Sequence, residues 1–260
     1  MIKTIVPYAG GKAYMLDDIY EIFHKFDNVK TVIDVFGGSG KFLLNLNDTT
    51  LYGSYHKIYN DIDDNMVNLF TVLRDDNLRA ELINRFEYYI SSRSMVIDFQ
   101  KRIRSEDRIE WAYRVMYILI NSFNARYDGV MKTFIEGDAP SVDYYLDNIR
   151  KIGKELRNWT IENLDFDKII KAYDNDNTFF YFDPPYYGLN YYRYSWNINN
   201  FHRFARAMRQ IQGHYIFNIN DTDEVRRIFG EPNMVKKYVN HAANTRRTDI
   251  TFRNELFYWK

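Results

Sequence analysis

The tetrapeptide Asp183-Pro184-Pro185-Tyr186 carries the most specific chemistry in the sequence. Consecutive prolines fix φ and remove N–H donors, so backbone carbonyls point outward unpaired and the adjoining side chains are held rigidly. An aspartate beside a proline carbonyl can accept both hydrogens of an exocyclic amino group, while a tyrosine ring stacks on a planar base. Such a site leaves the nitrogen lone pair aimed at an electrophile. Asp183, Pro184, Pro185 and Tyr186 are therefore the candidate catalytic residues.

Glycine marks a second locus. Five of the 12 glycines, Gly10, Gly11, Gly37, Gly38 and Gly40, fall in two clusters within the first 40 residues. The second cluster closes the run Asp34-Val35-Phe36-Gly37-Gly38-Ser39-Gly40. A strand ending this way brings bare backbone N–H groups and a helix N-terminus to the carboxyl edge of a sheet, where open α/β folds bind ligands. Asp61 follows Gly40 by 21 residues at the end of the next apolar run, a place from which a carboxylate takes both ribose hydroxyls of an adenosine. Lys41, Phe42 and Leu43 break the nicotinamide fingerprint, so a nucleoside without pyrophosphate fits better. The stretch Pro7-Tyr8-Ala9-Gly10-Gly11-Lys12 is no phosphate loop, because Val6 and Ala13 stand where that loop needs Gly and Ser or Thr. Its lysine is placed to meet a carboxylate instead.

The elements that must position these residues alternate along the chain. Periodicity predicts a helix over about Tyr14 to Phe26, a strand over Val29 to Val35 that ends in the glycine turn and leads into a helix, and a strand over Lys57 to Asn60. Helices are expected over Asn65 to Leu73, Asn77 to Tyr89 and Arg108 to Asn121, and another from an N-cap at Ser141 to about Leu156. Thr178 to Phe182 reads as a strand buried on both faces and stops at Asp183. Helix Asn200 to Gln212, strand His214 to Ile219, helix Asp223 to Phe229, and strands Val235 to Val239 and Thr251 to Trp259 complete the pattern. Alternation of this kind predicts an α/β sheet with helices on both faces, interrupted by a helical insertion over about 64–140.

Composition narrows the chemistry. At 260 residues and 46% hydrophobic content the chain can bury a large core. Cysteine is absent, which excludes disulfides, thiolate metal sites and a cysteine nucleophile. No stretch approaches 18 uninterrupted apolar residues and no secretory leader pattern opens the chain, so the expectation is an intracellular protein without a membrane partner. The five histidines have no ligand spacing, and no metal is expected. Lys+Arg 35 balance Asp+Glu 35, so a polyanion must be met by local patches such as Arg102 and Arg104, Arg203, Arg206 and Arg209, or Arg246 and Arg247.

Taken in order, Ala9-Gly10-Gly11-Lys12, Asp34 to Gly40, Asn60-Asp61, Asp183-Pro184-Pro185-Tyr186, Asn220-Asp221 and the Arg246-Arg247 to Glu255-Leu256 segment resemble the Dam-type (D12 class) adenine-N6 DNA methyltransferases of bacteria and phages. The likeness spans nearly the whole chain. It implies a Rossmann-like catalytic domain over 1–63 and 141–260, with 64–140 as a helical target-recognition insertion. It also implies S-adenosylmethionine as methyl donor. Lys12 with the Gly10-Gly11 backbone would hold its carboxylate, Phe36 with Gly37, Gly38 and Gly40 its methionine part, and Asp61 its ribose. Asp165 and Phe166, after Leu164, fall where related enzymes grip the adenine ring, and Tyr8, Ala9, Asp34 and Asp183 belong to the same pocket. The target would be an adenine flipped out of duplex DNA onto Tyr186.

For DNA, the resemblance points to Asn124 and Arg126 in the segment Asn121 to Tyr127, and to Arg246 and Arg247 in the Asn244 to Arg247 loop. Arg126 has the geometry for a bidentate contact to guanine. The hairpin expected after Tyr127 is shortened to Asp128 through Phe134, so the family's common GATC site is not carried over. The setting implied is the cytoplasm of a bacterium or a phage-infected host, with a cognate restriction nuclease as a possible associate. Two alternatives stay open at this stage. One is the same chemistry on cytosine N4 or RNA adenine; the other is an inactive scaffold that keeps the fold.

Overall fold

Seven strands form one mixed sheet in the order β3-β2-β1-β4-β5-β7-β6: β1 (Thr31–Asp34), β2 (His56–Asn60), β3 (Thr160–Glu162), β4 (Thr178–Phe182), β5 (His214–Asn220), β6 (Met234–Asn240) and β7 (Thr251–Trp259). The computed structural model describes residues 4–8, 12–47, 54–132, 141–189, 194–240 and 251–260. Strands β1 to β5 run parallel; β7 pairs antiparallel with both β5 and β6. The predicted α/β class is the class observed.

The chain leaves β1 for β2 on one side, while β4 flanks β1 on the other. That reversal opens a crevice at the carboxyl ends of β1 and β4, the place where open α/β sheets receive ligands. Register then aligns the chemistry. Asp34 sits opposite both Tyr59 and Tyr181, so Phe36, Asp61 and Asp183 each leave their strands two residues further on, at one level just beyond the sheet. Tyr181 pairs with Ile216, which brings Asn218 to the same level.

Helices cover both faces. On one side, α1 (Leu16–Phe23), α2 (Lys41–Asn45), α3 (Asp64–Arg74), α4 (Asp76–Phe86), α6 (Arg108–Asn121) and α7 (Val142–Leu156) share a continuous core with Tyr59, Phe179 and Tyr181, through residues such as Phe23, Phe42, Phe70, Met116 and Ile149. A smaller cluster of Val96, Phe99, Tyr117 and Ile118 joins α5 (Arg93–Lys101) to α6. On the other side, α8 (Phe166–Tyr173), α9 (Ile198–Gln210) and α10 (Asp223–Phe229) bury Phe166, Phe204 and Val225 against Ile33, Phe182 and Phe217. Among the described residues no helix is long and apolar enough to cross a membrane.

Polar residues start most of these helices. Asp63, Asp75, Ser92, Asp107, Asp165 and Thr222 each accept a backbone N–H of the first turn, and Asn197 forms a reciprocal capping pair with Asn200. Each such bond stabilises its helix by about 1 kcal/mol. Ser141 precedes α7 as expected, but its side chain makes no capping bond. The first predicted helix is shorter than its apolar pattern: a single 3₁₀ turn, Ala13–Met15, leads into α1, which stops at Phe23. Strand β3 and helices α5 and α8 were not anticipated.

Candidate active site

The glycine turn is built under three aromatic rings. Tyr59 is fully buried, donates its hydroxyl to the Gly38 carbonyl at 2.7 Å and stacks on Phe70 with ring centres 3.9 Å apart. A Cβ at Gly37 would lie 2.3 Å from this ring. Gly38 turns with φ +47°, in the left-handed region that glycine tolerates, and a Cβ there would lie 2.8 Å from the Tyr8 ring. The turn therefore lies close against Tyr8, one of the residues expected in the pocket.

Two side chains stitch this turn to the neighbouring strands. Asp61 accepts the Gly38 N–H at 2.7 Å and the Asp63 N–H at 2.8 Å. Burial raises its pKa to about 7, even though these N–H groups pull it down. The buried Asn60 amide donates to the Val35 and Leu164 carbonyls at 2.8 and 3.0 Å, and its oxygen accepts the Leu164 N–H at 2.9 Å. One amide thus ties together the exits of β1, β2 and β3.

Leu164, Asp165 and Phe166 line a cavity of about 190 Å³ with Val35, Phe36, Ile62, Tyr194 and Trp196. The Phe36 ring lies 5.5 Å from Trp196 and 6.3 Å from Phe166. Phe36, expected at the methionine end of the ligand, thus shares the cavity of the residues expected at its adenine end. Asp165 is occupied in this state. Arg203 Nη2 reaches its two carboxylate oxygens at 2.6 and 2.7 Å, Arg203 Nε lies 2.8 Å from Asp167, and the guanidinium stacks 4.2 Å over Phe166. Arg203, read from sequence as a phosphate contact, is thus bound to the rim of this cavity.

The Asp183 carboxylate meets Lys12, whose ammonium lies 2.9 Å from Oδ1 and 3.2 Å from Oδ2. The carboxylate expected for Lys12 was the ligand's; the one it holds here belongs to the protein. Asn218 Nδ2 adds a 3.5 Å contact to Oδ1. Burial raises the Asp183 pKa, and Lys12 and Asn218 offset part of that rise. Asp34 is more extreme: it is wholly desolvated, its pKa is raised well above the ordinary range by burial and then by Asp183 and Asp61, and its Oδ1 has no hydrogen-bond partner. The buried Asp34 and Asp61 and the partly exposed Asp183 face the paired Lys12, which leaves a crevice suited to a cationic ligand.

Tyr186 is nearly buried. Its hydroxyl donates to Glu255 Oε2 at 2.5 Å, and Lys12 Nζ lies 4.4 Å from the ring centre. Tyr187 is fixed by Asn220, whose oxygen accepts the Tyr187 N–H at 2.9 Å and whose amide donates to the Tyr187 carbonyl at 3.1 Å. Asn218, Asn220 and Glu255 were not singled out from the sequence as site residues in their own right. Their signal is polarity at positions of β5 and β7 where the strand pattern calls for apolar side chains.

After α6, Asn124 turns exposed with φ +56°, and Arg126 pairs with Asp128 through Nε and Nη2 at 2.9 and 2.8 Å. An antiparallel bridge between Ser122 and Met131 closes a short hairpin at this point. Its Tyr127 packs against the large core cluster, and burial, then Asp63, Tyr8 and Asp61, raise its phenol pKa. Arg102 pairs with Asp98 and Arg104 with Asp64. Ala9, Gly10, Gly11, Arg246 and Arg247 lie outside the described residues, and among those described no His, Asp and Glu side chains group to hold a metal ion.

The described members of the ordered motifs, Lys12, Asp34 to Gly40, Asn60-Asp61, Asp183 to Tyr186 and Glu255, lie around one crevice, and the model of the D12 class N6 adenine-specific DNA methyltransferases matches residues 8–243. The chain belongs to this family. The D12 methyltransferase is 26% identical over 239 residues to the Type II methyltransferase M.MjaIII of Methanocaldococcus jannaschii, covering 81% of this chain and 80% of that one. It is 29% identical over 205 residues to the Type II methyltransferase M1.LlaDCHI of Lactococcus lactis subsp. cremoris, covering 73% and 67%. Among solved structures, the rRNA methyltransferase aviRa from Streptomyces viridochromogenes aligns over 97% of this chain and 86% of its own, at 12% identity and a TM-score of 0.44. The D12 enzyme methylates adenine N6 in DNA in a site-specific manner.

Proposed function

We propose that this enzyme takes its methyl group from S-adenosylmethionine, bound across the crevice between β1 and β4, and delivers it to an adenine flipped out of duplex DNA. The unpartnered, buried Asp34 Oδ1 carries the cofactor reading, because a wholly desolvated carboxylate oxygen calls for a cation and the cofactor brings an ammonium and a sulfonium. The cofactor supplies an electrophilic methyl group. Asp34 would hold its ammonium, Asp61 its ribose hydroxyls, and the cavity of Phe36, Leu164, Asp165 and Phe166 its adenine. Tyr8, Gly37, Gly38 and Gly40 would form the floor beneath it, with Ala9, Gly10 and Gly11 alongside.

Asp183 and the Pro184 carbonyl would accept the two hydrogens of the target amino group, and Pro185 would hold the turn rigid. Lys12 favours the ionised form of Asp183, the form that accepts hydrogen bonds and can hold the proton released by the nitrogen. Tyr186 would stack on the base. Positioning and fixed charges then do the catalysis, without a covalent enzyme intermediate.

Residues 64–140 would carry target recognition, with Asn124 and Arg126 on the DNA side and Arg246 and Arg247 on the phosphates. The Type II label of the two relatives favours a role beside a cognate restriction nuclease, and the family resemblance implies the cytoplasm of a bacterium or a phage-infected host as the setting. The deciding experiment is transfer of labelled methyl from S-adenosylmethionine to a mixed pool of duplex DNA, with modified positions read by single-molecule sequencing. N6-methyladenine in one sequence context is expected, lost in Asp183→Ala while cofactor binding persists. Full activity of Asp183→Ala would overturn the assignment of the catalytic group.

A further inference from the structure

Tyr186 is held at more points than a stacking surface needs. The Pro184-Pro185 backbone fixes its Cα, and the 2.5 Å bond to Glu255 fixes its hydroxyl. Together they set the long axis of the ring. Lys12, 4.4 Å from the ring centre, restrains rotation about that axis, and the same ammonium grips Asp183. The ring plane is thereby referenced to the carboxylate that faces the amino group.

Glu255 has no evident need to be an acid for the sake of the fold. It is wholly buried in β7, where pairing with Asn220 sets it at the carboxyl end of β5. The backbone ladders to β5 and β6 hold the strand whatever the side chain. A buried carboxylate is costly unless partnered, and an apolar residue fills such a position more cheaply. Its partners are the Tyr186 hydroxyl on Oε2 and, on Oε1, the Tyr14 hydroxyl at 3.5 Å and the charge of Arg253, from β7 itself, with Nε at 3.2 Å.

We propose that Glu255 is a positioning residue for methyl transfer, which acts by anchoring the Tyr186 hydroxyl and so fixing the plane that meets the target base. The proposal rests on the reading of Tyr186 as the base-stacking ring. It places an electrostatic anchor, held by Tyr14 and Arg253, behind the tetrapeptide, on a strand more than sixty residues further along the chain.

The test compares Glu255→Gln, Glu255→Ala, Tyr186→Phe, Tyr186→Ala and the double variant Glu255→Ala with Tyr186→Phe, with kcat measured on duplex DNA that keeps adenine at the methylated position and base fluorescence on a matching duplex carrying 2-aminopurine there. Glu255→Ala and Tyr186→Phe are each expected to lower kcat roughly tenfold, with cofactor Kd held within about twofold. The double variant should be no worse than either single one, because both remove the same bond. Glu255→Gln, whose amide oxygen still accepts, should retain most of kcat. The fluorescence of the flipped 2-aminopurine, quenched by stacking, should rise in Glu255→Ala and Tyr186→Phe. Additive rate losses with unchanged fluorescence would mean a purely structural role and overturn the proposal. If Tyr186→Ala is impaired while Tyr186→Phe and Glu255→Ala behave as wild type, the anchor fails and stacking survives; if Tyr186→Ala is itself unimpaired, the stacking reading fails and the anchor with it. Should Glu255→Ala not fold, Tyr186→Phe removes the same bond from the other side, and normal kcat there overturns the proposal.

Discussion

Gly37→Ala is a clean steric probe of the turn, because Gly37 lies outside the left-handed region that Gly38 and Gly40 occupy, so alanine adds a methyl group without a conformational penalty. That methyl would sit 2.3, 2.7 and 2.9 Å from Tyr59 Cε2, Cδ2 and Cζ. Carbon atoms rest at about 3.5–4.0 Å, so the ring must retreat by roughly 1 Å or more. It has nowhere to go. Phe70 is stacked behind it at 3.9 Å, and the hydroxyl is bound to the Gly38 carbonyl at 2.7 Å. Overpacking of this kind costs about 1–3 kcal/mol, and a strained buried hydrogen bond about 1 kcal/mol more. The stiffer unfolded chain offsets about 0.4–1 kcal/mol. The net loss is about 1–3.5 kcal/mol, which at about 2–4 °C per kcal/mol lowers Tm by roughly 2–14 °C. Thermal denaturation followed by circular dichroism measures it, and titration calorimetry should show weakened S-adenosylmethionine binding alongside. Combining Gly37→Ala with Tyr59→Leu should cost less than the two changes summed, since the smaller residue vacates the contested space. An unchanged Tm in Gly37→Ala, or strict additivity in the double variant, would refute the account of this turn.

Three further outcomes are expected. Lys12→Met leaves the largely desolvated Asp183 without its ion pair, so its pKa should rise further; the acid limb of the kcat–pH profile should move to higher pH, with a loss on the order of a hundredfold at pH 7 that eases as pH rises. Asp61 titrates at about 7, so S-adenosylmethionine affinity measured by calorimetry should strengthen as pH rises through that value and the carboxylate becomes a full acceptor; a flat profile from pH 6 to 8 would argue against the ribose role. Because its folded pKa is raised, Asp61 stabilises the ligand-free fold fully below its unfolded value near 4, and that contribution is lost as pH rises through about 7. Asp128→Asn removes the carboxylate paired with the Arg126 guanidinium and should tighten DNA binding about threefold at low salt, a gain that must vanish when Arg126→Ala is added.

The parts of the fold that could be read from sequence are those with a strong local signal. β1, β2 and β4 are apolar runs that stop at Asp34, Asn60-Asp61 and Asp183, and their observed ends fall within one or two residues of the expected ones. β3 spans only three half-buried residues at the sheet edge, too few to show a period. The place of β7 between β5 and β6 depends on pairing across the chain, which no local pattern reveals. The site divides in the same way. Asp183 and Asp61 announce themselves by their position after strands, but the partner of Lys12 lies 171 residues away. Arg203, Arg206 and Arg209, spaced by three, read as a candidate phosphate patch; only the packing of α8 against α9 reveals that Arg203 is bound to Asp165 and Asp167.

The threading of β7 also sets a timetable for the nascent protein. Tyr186 leaves the ribosome about seventy residues ahead of Glu255, an interval of several seconds at ordinary rates of synthesis. Late in that interval, once β5 and β6 have been made and until β7 follows, β6 has no neighbour to bind and the outer edge of β5 is bare, because both wait for the strand that will lie between them. The tetrapeptide, the glycine turn and Lys12 can assemble first, yet the tyrosine hydroxyl still lacks its acceptor. A DNA-modifying enzyme put together in this order completes its base-facing ring only after β7 has been translated.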